Sequence, residues 1–309
     1  MNAIEVNNLT RRFGNFIAVK NISFSLENGK ILGFLGANGA GKTTTIKILT
    51  CLLEPTSGDA NIVGYNIFKE SEKIKQSIGY MSQKFSLYDD LTVKENIDFF
   101  ASIYGLYGRE LNIRRSWVLQ TALLSNKENI LTKNLPNGIK QRLALSIAVI
   151  HKPKIIFLDE PTSGVDPLSR RAFWDLINEL ADSGITIFVT THYLEEAEFC
   201  NKIIIMDAGE IIAYGSQNEL RSKFNNSLFL EINNFDLIKF NNIIKTIDFV
   251  ENIFTHGVKF HISIKNEGNN LQKIENLLKL NNPNVIINKI SPSLEDIFIA
   301  FLNKRNENN

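Results

Sequence analysis

Hydrophobic residues fall along this chain in patterns that separate strands from helices. Lys30-Ile31-Leu32-Gly33-Phe34-Leu35, Ile155-Ile156-Phe157-Leu158 and Ile185-Thr186-Ile187-Phe188-Val189-Thr190 are mostly apolar and read as buried strands. Ile155-Ile156-Phe157-Leu158 has the unbroken form of a parallel strand covered on both faces. Ile4-Glu5-Val6, Phe16-Ile17-Ala18-Val19 and Ile22-Ser23-Phe24-Ser25-Leu26 predict shorter strands ahead of a turn at Glu27-Asn28-Gly29. Ile62-Val63-Gly64-Tyr65 and Ile78-Gly79-Tyr80-Met81 predict two more, and a closing hairpin is expected around Asp207-Ala208-Gly209. Helical spacing places Ile46, Ile48, Leu49, Leu52 and Leu53 on one segment closed by Pro55. Thr92-Val93-Lys94-Glu95 is a capping box, followed by an apolar stripe through Ile97, Phe100 and Tyr104. Residues from about 92 to 150 hold little strand pattern, so a helical insertion divides an α/β core.

Near residue 220 the composition turns to Asn, Lys, Ile and Phe. Strands at 227–232, 248–255, 258–264 and 285–287 alternate with helices at 236–246 and 271–280, an order that suggests a small ferredoxin-like unit. A last helix starts at Ser293, and residues 305–309 read as a frayed polar end. The fold class expected is α/β: a core over 1–220 with a helical part at about 84–150, then a small α+β accessory domain over 221–309.

Composition narrows the classes of function. Of 309 residues, 44% are hydrophobic and 22% charged, which is ordinary for a chain with a real core. A net charge of +1 gives no basic footprint for nucleic acid. The two cysteines, Cys51 and Cys200, fall in segments that read as helical and suggest buried apolar residues in a reducing compartment. The first residues lack a signal-peptide pattern, and no segment approaches the ~20 apolar residues of a membrane span. Any work at a membrane is therefore expected to use another chain to cross it.

The candidate chemistry begins at Gly36-Ala37-Asn38-Gly39-Ala40-Gly41-Lys42-Thr43-Thr44, which fits the phosphate-cradling pattern G-x-x-x-x-G-K-[ST]. Glycines let successive N–H groups turn toward one anion, and the following helix adds its positive end. Lys42 would reach the outer phosphates and the Thr43 hydroxyl would hold magnesium. A chance match turns up in about one chain per hundred of this length, so context decides, and strand, loop and helix occur here in the required order. At the end of the Ile155 strand stand Asp159 and Glu160, where open α/β sheets bind ligands. Asp159 suits a magnesium ion, and Glu160 suits a water aimed at a terminal phosphate. Gln83 follows a strand and offers an amide oxygen to the metal or a water; His192 ends another strand and faces the same place. Phe13, beside Gly14, is either a packing residue or a platform for a planar base. Asn137 and Gly138 open a helix, either as a plain start capped by Asn137 or as a second anion-facing surface.

In that order, the motifs of residues 3–220 resemble the ATP-binding subunit of an ABC transporter. The resemblance makes Gln83 the loop glutamine, Leu158-Asp159-Glu160 the Walker B end, Ser163-Gly164-Val165-Asp166 the D-loop, His192 the switch histidine and Phe13 the adenine-stacking aromatic. It implies ATP and Mg2+ as ligands, a second copy of the chain as dimer partner, integral membrane permease subunits, and a cytoplasmic place on the inner face of the membrane. Pro292-Ser293-Leu294-Glu295-Asp296-Ile297-Phe298 resembles the ending of bacterial drug-exporter ATPases, which implies efflux. One departure stands out: the family's Leu-Ser-Gly-Gly-Gln signature is Leu135-Pro136-Asn137-Gly138-Ile139 here, and Pro136 supplies neither hydroxyl nor N–H. Lowered or retuned hydrolysis is expected. Two rivals remain: a non-transport ABC ATPase acting on nucleic acid or ribosomes, and a binding-only subunit. The single cassette, the lack of a long coiled-coil insertion and the neutral charge weigh against the first; the intact Asp159, Glu160 and His192 weigh against the second.

Overall fold

In the computed structural model, which describes every residue except 84–86, 245–246, 257–258 and 308–309, the buried apolar runs form the middle of a parallel sheet. The chain opens with β1 (Asn2–Phe13), β2 (Phe16–Glu27) and β3 (Ile31–Leu35), and α1 (Lys42–Leu49) follows β3. Next come β4 (Ser57–Ile62), β5 (Tyr65–Asn66), α2 (Ser71–Ser77) and β6 (Ile78–Met81). Three helices, α3 (Val93–Ile103), α4 (Gly108–Thr121) and α5 (Asn137–Ala148), interrupt the sheet. It resumes with β7 (Ile155–Asp159), α6 (Pro167–Asp182), β8 (Thr186–Thr191), β9 (Lys202–Asp207) and β10 (Glu210–Gly215).

The larger sheet runs β10-β9-β3-β8-β7-β6, with β3 parallel to β8 and β9, and β7 parallel to β6 and β8. A second, antiparallel sheet runs β2-β1-β4-β5. Phenylalanines join the two: Phe24 of β2 lies 5.8 Å from Phe34 of β3, and Phe188 of β8 lies 5.2 Å from Phe34 and 5.4 Å from Phe157 of β7. Register fixes the site. Leu35 is level with Thr191, and Asp159 with Thr190, so the loops after β3, β7 and β8 leave one end of the sheet together. The helices between β6 and β7 keep a core of their own around Ile97, Val118, Leu143 and Ile147. The capping box at the start of α3 forms as expected, with the Glu95 amide donating to Thr92 Oγ1 and the Thr92 amide donating to Glu95 Oε2.

Some expectations need correction. The short N-terminal strands merge into two twelve-residue strands, because register shifts around Leu9 and left-handed Asn8 and Asn21 absorb the polar interruptions. The strand expected at 62–65 is instead the end of β4, a turn in which Val63 (φ 48°) and Gly64 (φ 83°) are both left-handed, and the two residues of β5. The helix after the glycine loop stops at Leu49, since Cys51 turns left-handed (φ 57°), leaving Leu52 exposed and Cys51 outside the helix. Cys200 ends a short 3-10 turn and is buried. Helix α2, which buries only Ile74, and the capped α7 (Gln217–Ser222) are additions that periodicity did not signal.

The chain divides into two units, Met1–Tyr214 and Gly215–Asn309. In the second, β11 (Ser227–Asn233), α8 (Leu237–Ile244), β12 (Val250–His256), β13 (Lys259–Lys265), α9 (Asn270–Asn281) and β14 (Ile286–Ile290) build an antiparallel sheet of order β12-β13-β11-β14. This is a split β-α-β arrangement. Its final helix, α10 (Leu294–Glu307), is held to β13 by the buried Asp296, whose carboxylate meets His261 Nδ1 at 3.1 Å. The last two residues of the expected 236–246 helix, Val258 and the last two residues of the chain lie outside the described residues.

Candidate nucleotide site

The loop between β3 and α1 can form only with glycine at its tightest points. A Cβ on Gly36 would stand 2.3 Å from the Met206 carbonyl oxygen, and one on Gly41 would stand 2.3 Å from that of Ala18. Gly41 is also left-handed (φ 108°) at the N-cap of α1. That pins the first amides of α1 at the mouth of a cavity of about 360 Å³, whose walls include Asn38, Gly39, Thr43, Thr44, Gln83 and Glu160. Lys42 is 4% exposed, and its Nζ donates to the Gly36 and Ala37 carbonyls at 2.8 and 3.1 Å, which curls the loop around the ammonium.

Four sequence candidates converge on the two carboxylates at the end of β7. Glu160 Oε1 lies 3.4 Å from Lys42 Nζ, while Oε2 accepts from Gln83 Nε2 at 3.1 Å and lies 3.3 Å from His192 Nδ1. Glu160 itself is left-handed (φ 47°), a costly conformation held by its amide, which donates to Thr190 O and Oγ1. Asp159 accepts from Thr190 Oγ1 at 2.6 Å and from Thr43 Oγ1 at 3.2 Å. Burial raises the Asp159 carboxyl above its ordinary pKa, with Glu160 adding, while the two hydroxyls and Lys42 pull the other way. Burial, aided by the Asp159 charge, likewise pushes the Tyr80 hydroxyl up to about 12.

The residues fit a magnesium ion. Thr43 and Asp159 bring hard oxygens within 3.2 Å of each other, and Gln83, whose Nε2 donates to Glu160, lines the same cavity as Thr43. No group of three or more His, Cys, Asp or Glu side chains that would cage a metal occurs among the described residues. A site of this kind leaves most of the coordination to phosphate and water, the habit of magnesium.

Other candidates fall elsewhere. Phe13 stands 47% exposed with the Arg11 guanidinium 4.6 Å from its ring centroid, and it is absent from the cavity wall. Its hairpin partner Phe16 lines the cavity instead, because the turn brings residue 16 back across residue 13. Asn137 is not an N-cap: α5 begins at it, Pro136 occupies the cap position, and no side chain caps the helix. Asn137 and Gly138 line a separate cavity of about 400 Å³ together with Pro136, Gly164, Asp166 and Ser169, and that cavity shares no residue with the first. Sequence reading missed Phe16 and Thr190. A hydroxyl at the end of β8 was the available signal for Thr190, since β8 neighbours the acid-bearing β7.

A glycine loop opening a helix, with an acid pair two strands away at the same sheet end, defines a P-loop NTPase. The ABC transporter family profile matches residues 19–163. A probable multidrug ABC transporter ATP-binding protein of Escherichia coli, YbhF, is 47% identical over 220 residues, covering 71% of this chain. The matched part is 38% of YbhF, so this chain spans well under half the length of that relative. The linearmycin resistance ATP-binding protein LnrL of Bacillus subtilis is 36% identical over 267 residues, 84% of this chain and 85% of LnrL. Among solved structures, an ATP-binding subunit of an ABC transporter superposes with a TM-score of 0.66 at 29% identity, covering 72% of this chain and 93% of that one. The dimeric ATP-binding cassette MJ0796, in a post-hydrolysis state with ADP and Pi, superposes with a TM-score of 0.63 at 28% identity, over 69% and 98% of the two chains. The chain belongs to the ATP-binding subunits of ABC transporters.

Proposed function

We propose that this subunit binds and hydrolyses Mg-ATP between its own phosphate loop and the signature segment of a second copy, and so drives export through separate membrane subunits. The carrying observation is the convergence of Lys42, Gln83 and His192 on the Glu160 carboxylate, one residue from the Thr43–Asp159 pair. On this reading the loop amides from Gly36 to Thr44 and Lys42 hold the phosphates. Thr43, Gln83 and Asp159 hold magnesium, whose charge offsets that of the terminal phosphates. Glu160 takes a proton from the attacking water, and His192 meets the terminal phosphate. The hairpin end carrying Phe13 and Phe16 supplies the ring for the adenine.

A second copy is supported by the separate cavities of the two half-sites and by the dimeric state of MJ0796. Membrane subunits are supported by a small cleft between the end of β6 and the helices α3 and α5, walled by Tyr80, Leu87, Phe100 and Tyr104. The residues just after Gln83, expected to transmit the motion, lie outside the described residues at 84–86. No helix among the described residues is long and apolar enough to cross a membrane; a place on the inner face of the membrane is part of the same proposal. Efflux of a drug or small molecule is supported by the names of its relatives: multidrug for YbhF, linearmycin resistance for LnrL, and Nod factor export for a Burkholderia lata protein 35% identical over 218 residues. The unit over 221–309 is read as an accessory domain of ferredoxin-like form.

Glu160→Gln is the test. ATP turnover of the purified protein with its membrane subunits is expected to fall about a hundredfold or more, while ATP still binds. Turnover left intact overturns the mechanism. Single-turnover hydrolysis by the unaltered protein excludes the binding-only alternative.

A further inference from the structure

Arg170, in the first turn of α6, stands outside the phosphate-loop cavity but touches three segments that flank Glu160 and His192 in the chain. Its guanidinium lies 3.9 Å from the centroid of the Tyr193 ring. Its Nη2 donates to the Val165 carbonyl at 3.4 Å, and its Nε lies 3.7 Å from Glu196 Oε1. Glu196 is 1% exposed, and the same carboxylate accepts a hydrogen bond from Thr162 Oγ1. Each contact ends next to something the site needs. Thr162 is two residues beyond Glu160, Tyr193 follows His192 with the two rings 4.1 Å apart, and Val165 belongs to the loop that shares a cavity with Pro136 and Gly138.

We infer that Arg170 is a positioning residue, which braces the Glu160 turn and the His192 loop against the loop at 163–166. The inference rests on the hydrolytic reading of Glu160 and His192 given above. Glu160 occupies a left-handed backbone that surrounding structure must hold in place. The Arg170–Glu196–Thr162 contacts fix the far side of that turn. On the other branch, Arg170 fixes the Tyr193 ring, that ring flanks His192, and His192 meets Glu160 Oε2. A guanidinium suits the post because it stacks by its face while its edge still donates; a lysine ammonium cannot do both. Since Val165 lines the signature-side cavity, the brace also ties that half-site to the hydrolytic carboxylate of the same protomer.

The test uses the full-length protein with its membrane subunits, following ATP turnover, ATP binding and thermal unfolding together. Arg170→Ala should lower kcat about tenfold or more and leave the ATP Kd within about twofold, as expected when a reacting group is misplaced without loss of binding. Arg170→Lys should recover little of that loss. Tyr193→Leu should fall with it, Tyr193→Phe should lose less, and Arg170→Ala/Tyr193→Leu should be no worse than the poorer single variant. Arg170→Ala leaves the Glu196 charge buried and short of a partner, so Arg170→Ala/Glu196→Gln serves as the folded control and should show the same kcat loss. Wild-type kcat in Arg170→Ala, full recovery on adding Glu196→Gln, or additive losses with Tyr193→Leu would each overturn the brace. With Glu160→Gln inactive, such a result defeats the brace alone; an active Glu160→Gln defeats the hydrolytic reading and the brace with it.

Discussion

Burial at the end of β7 raises the Asp159 carboxyl pKa, and the negative charge of Glu160 adds to the effect, with Thr190, Thr43 and Lys42 only partly opposing it. The folded state therefore holds that proton more tightly than the unfolded chain does. Protonated Asp159 stabilises the fold fully below the ordinary carboxylate range, and the benefit is lost as pH rises through the raised value. Above the raised value the nucleotide-free protein carries a carboxylate that works against its own stability. Asp159→Asn keeps an oxygen for the two hydroxyl donors and removes the charge. It should raise the thermal unfolding midpoint of nucleotide-free protein near neutral pH, with the gap closing toward acid pH. The same variant should weaken Mg-ATP binding about tenfold or more, since the proposed magnesium ligand loses its charge. Melting curves across pH, read beside Mg-ATP titrations, check both halves; an Asn variant that melts lower than the parent at neutral pH contradicts the sign. Asp159 would then be a residue kept for its ligand at the expense of the fold.

The central strands were the most legible elements, for a physical reason. A strand covered on both faces must be apolar throughout, so Ile155-Ile156-Phe157-Leu158 could hardly be anything else, and the acids just beyond it mark the sheet end. Phe188 shows what those strands contribute: it is fully buried in β8 and packs against Phe24, Phe34 and Phe157. Phe188→Ala is expected to cost about 3–5 kcal/mol, measured by urea unfolding, because four strands lose one filler and cannot all close the gap. A loss under about 1 kcal/mol would mean that the two sheets do not depend on this cluster. Elements settled by single backbone angles were less legible. Leu52 and Leu53 continue a helical spacing, yet a left-handed Cys51 ends α1 before them. Val63 and Gly64 sit inside an apolar run, yet both turn left-handed and split it. Spacing carries no record of such angles. Nor does it record which ring of a hairpin faces a cavity, so Phe13 drew the attention that Phe16 earns by position.

At the scale of the molecule, the nucleotide site is legible as a half. Gly36 through Thr44, Gln83, Asp159, Glu160 and His192 are scattered in sequence, and parallel register alone gathers most of them at one sheet end. No register brings Asn137 and Gly138 there; they line their own cavity against Asp166 and Ser169. If that cavity closes over the nucleotide of a second copy, damage to it must spare ATP binding by one protomer and abolish what needs two. Gly138→Asp is the appropriate variant, because an added Cβ would stand 2.8 Å from Ser169 Oγ and the carboxylate would face incoming phosphate. In a Glu160→Gln background, where the proposed mechanism leaves ATP unhydrolysed, the parent protein should shift from monomer to dimer on adding Mg-ATP. With Gly138→Asp it should stay monomeric by sedimentation, while its ATP Kd moves by about twofold or less, since the phosphate-loop cavity is untouched. An equal loss of ATP binding by the monomer would place Gly138 in the same protomer's site and remove the need for a second copy. Retained dimerisation would mean that Pro136 has already released this segment from the composite site, leaving the first cavity to hold ATP by itself.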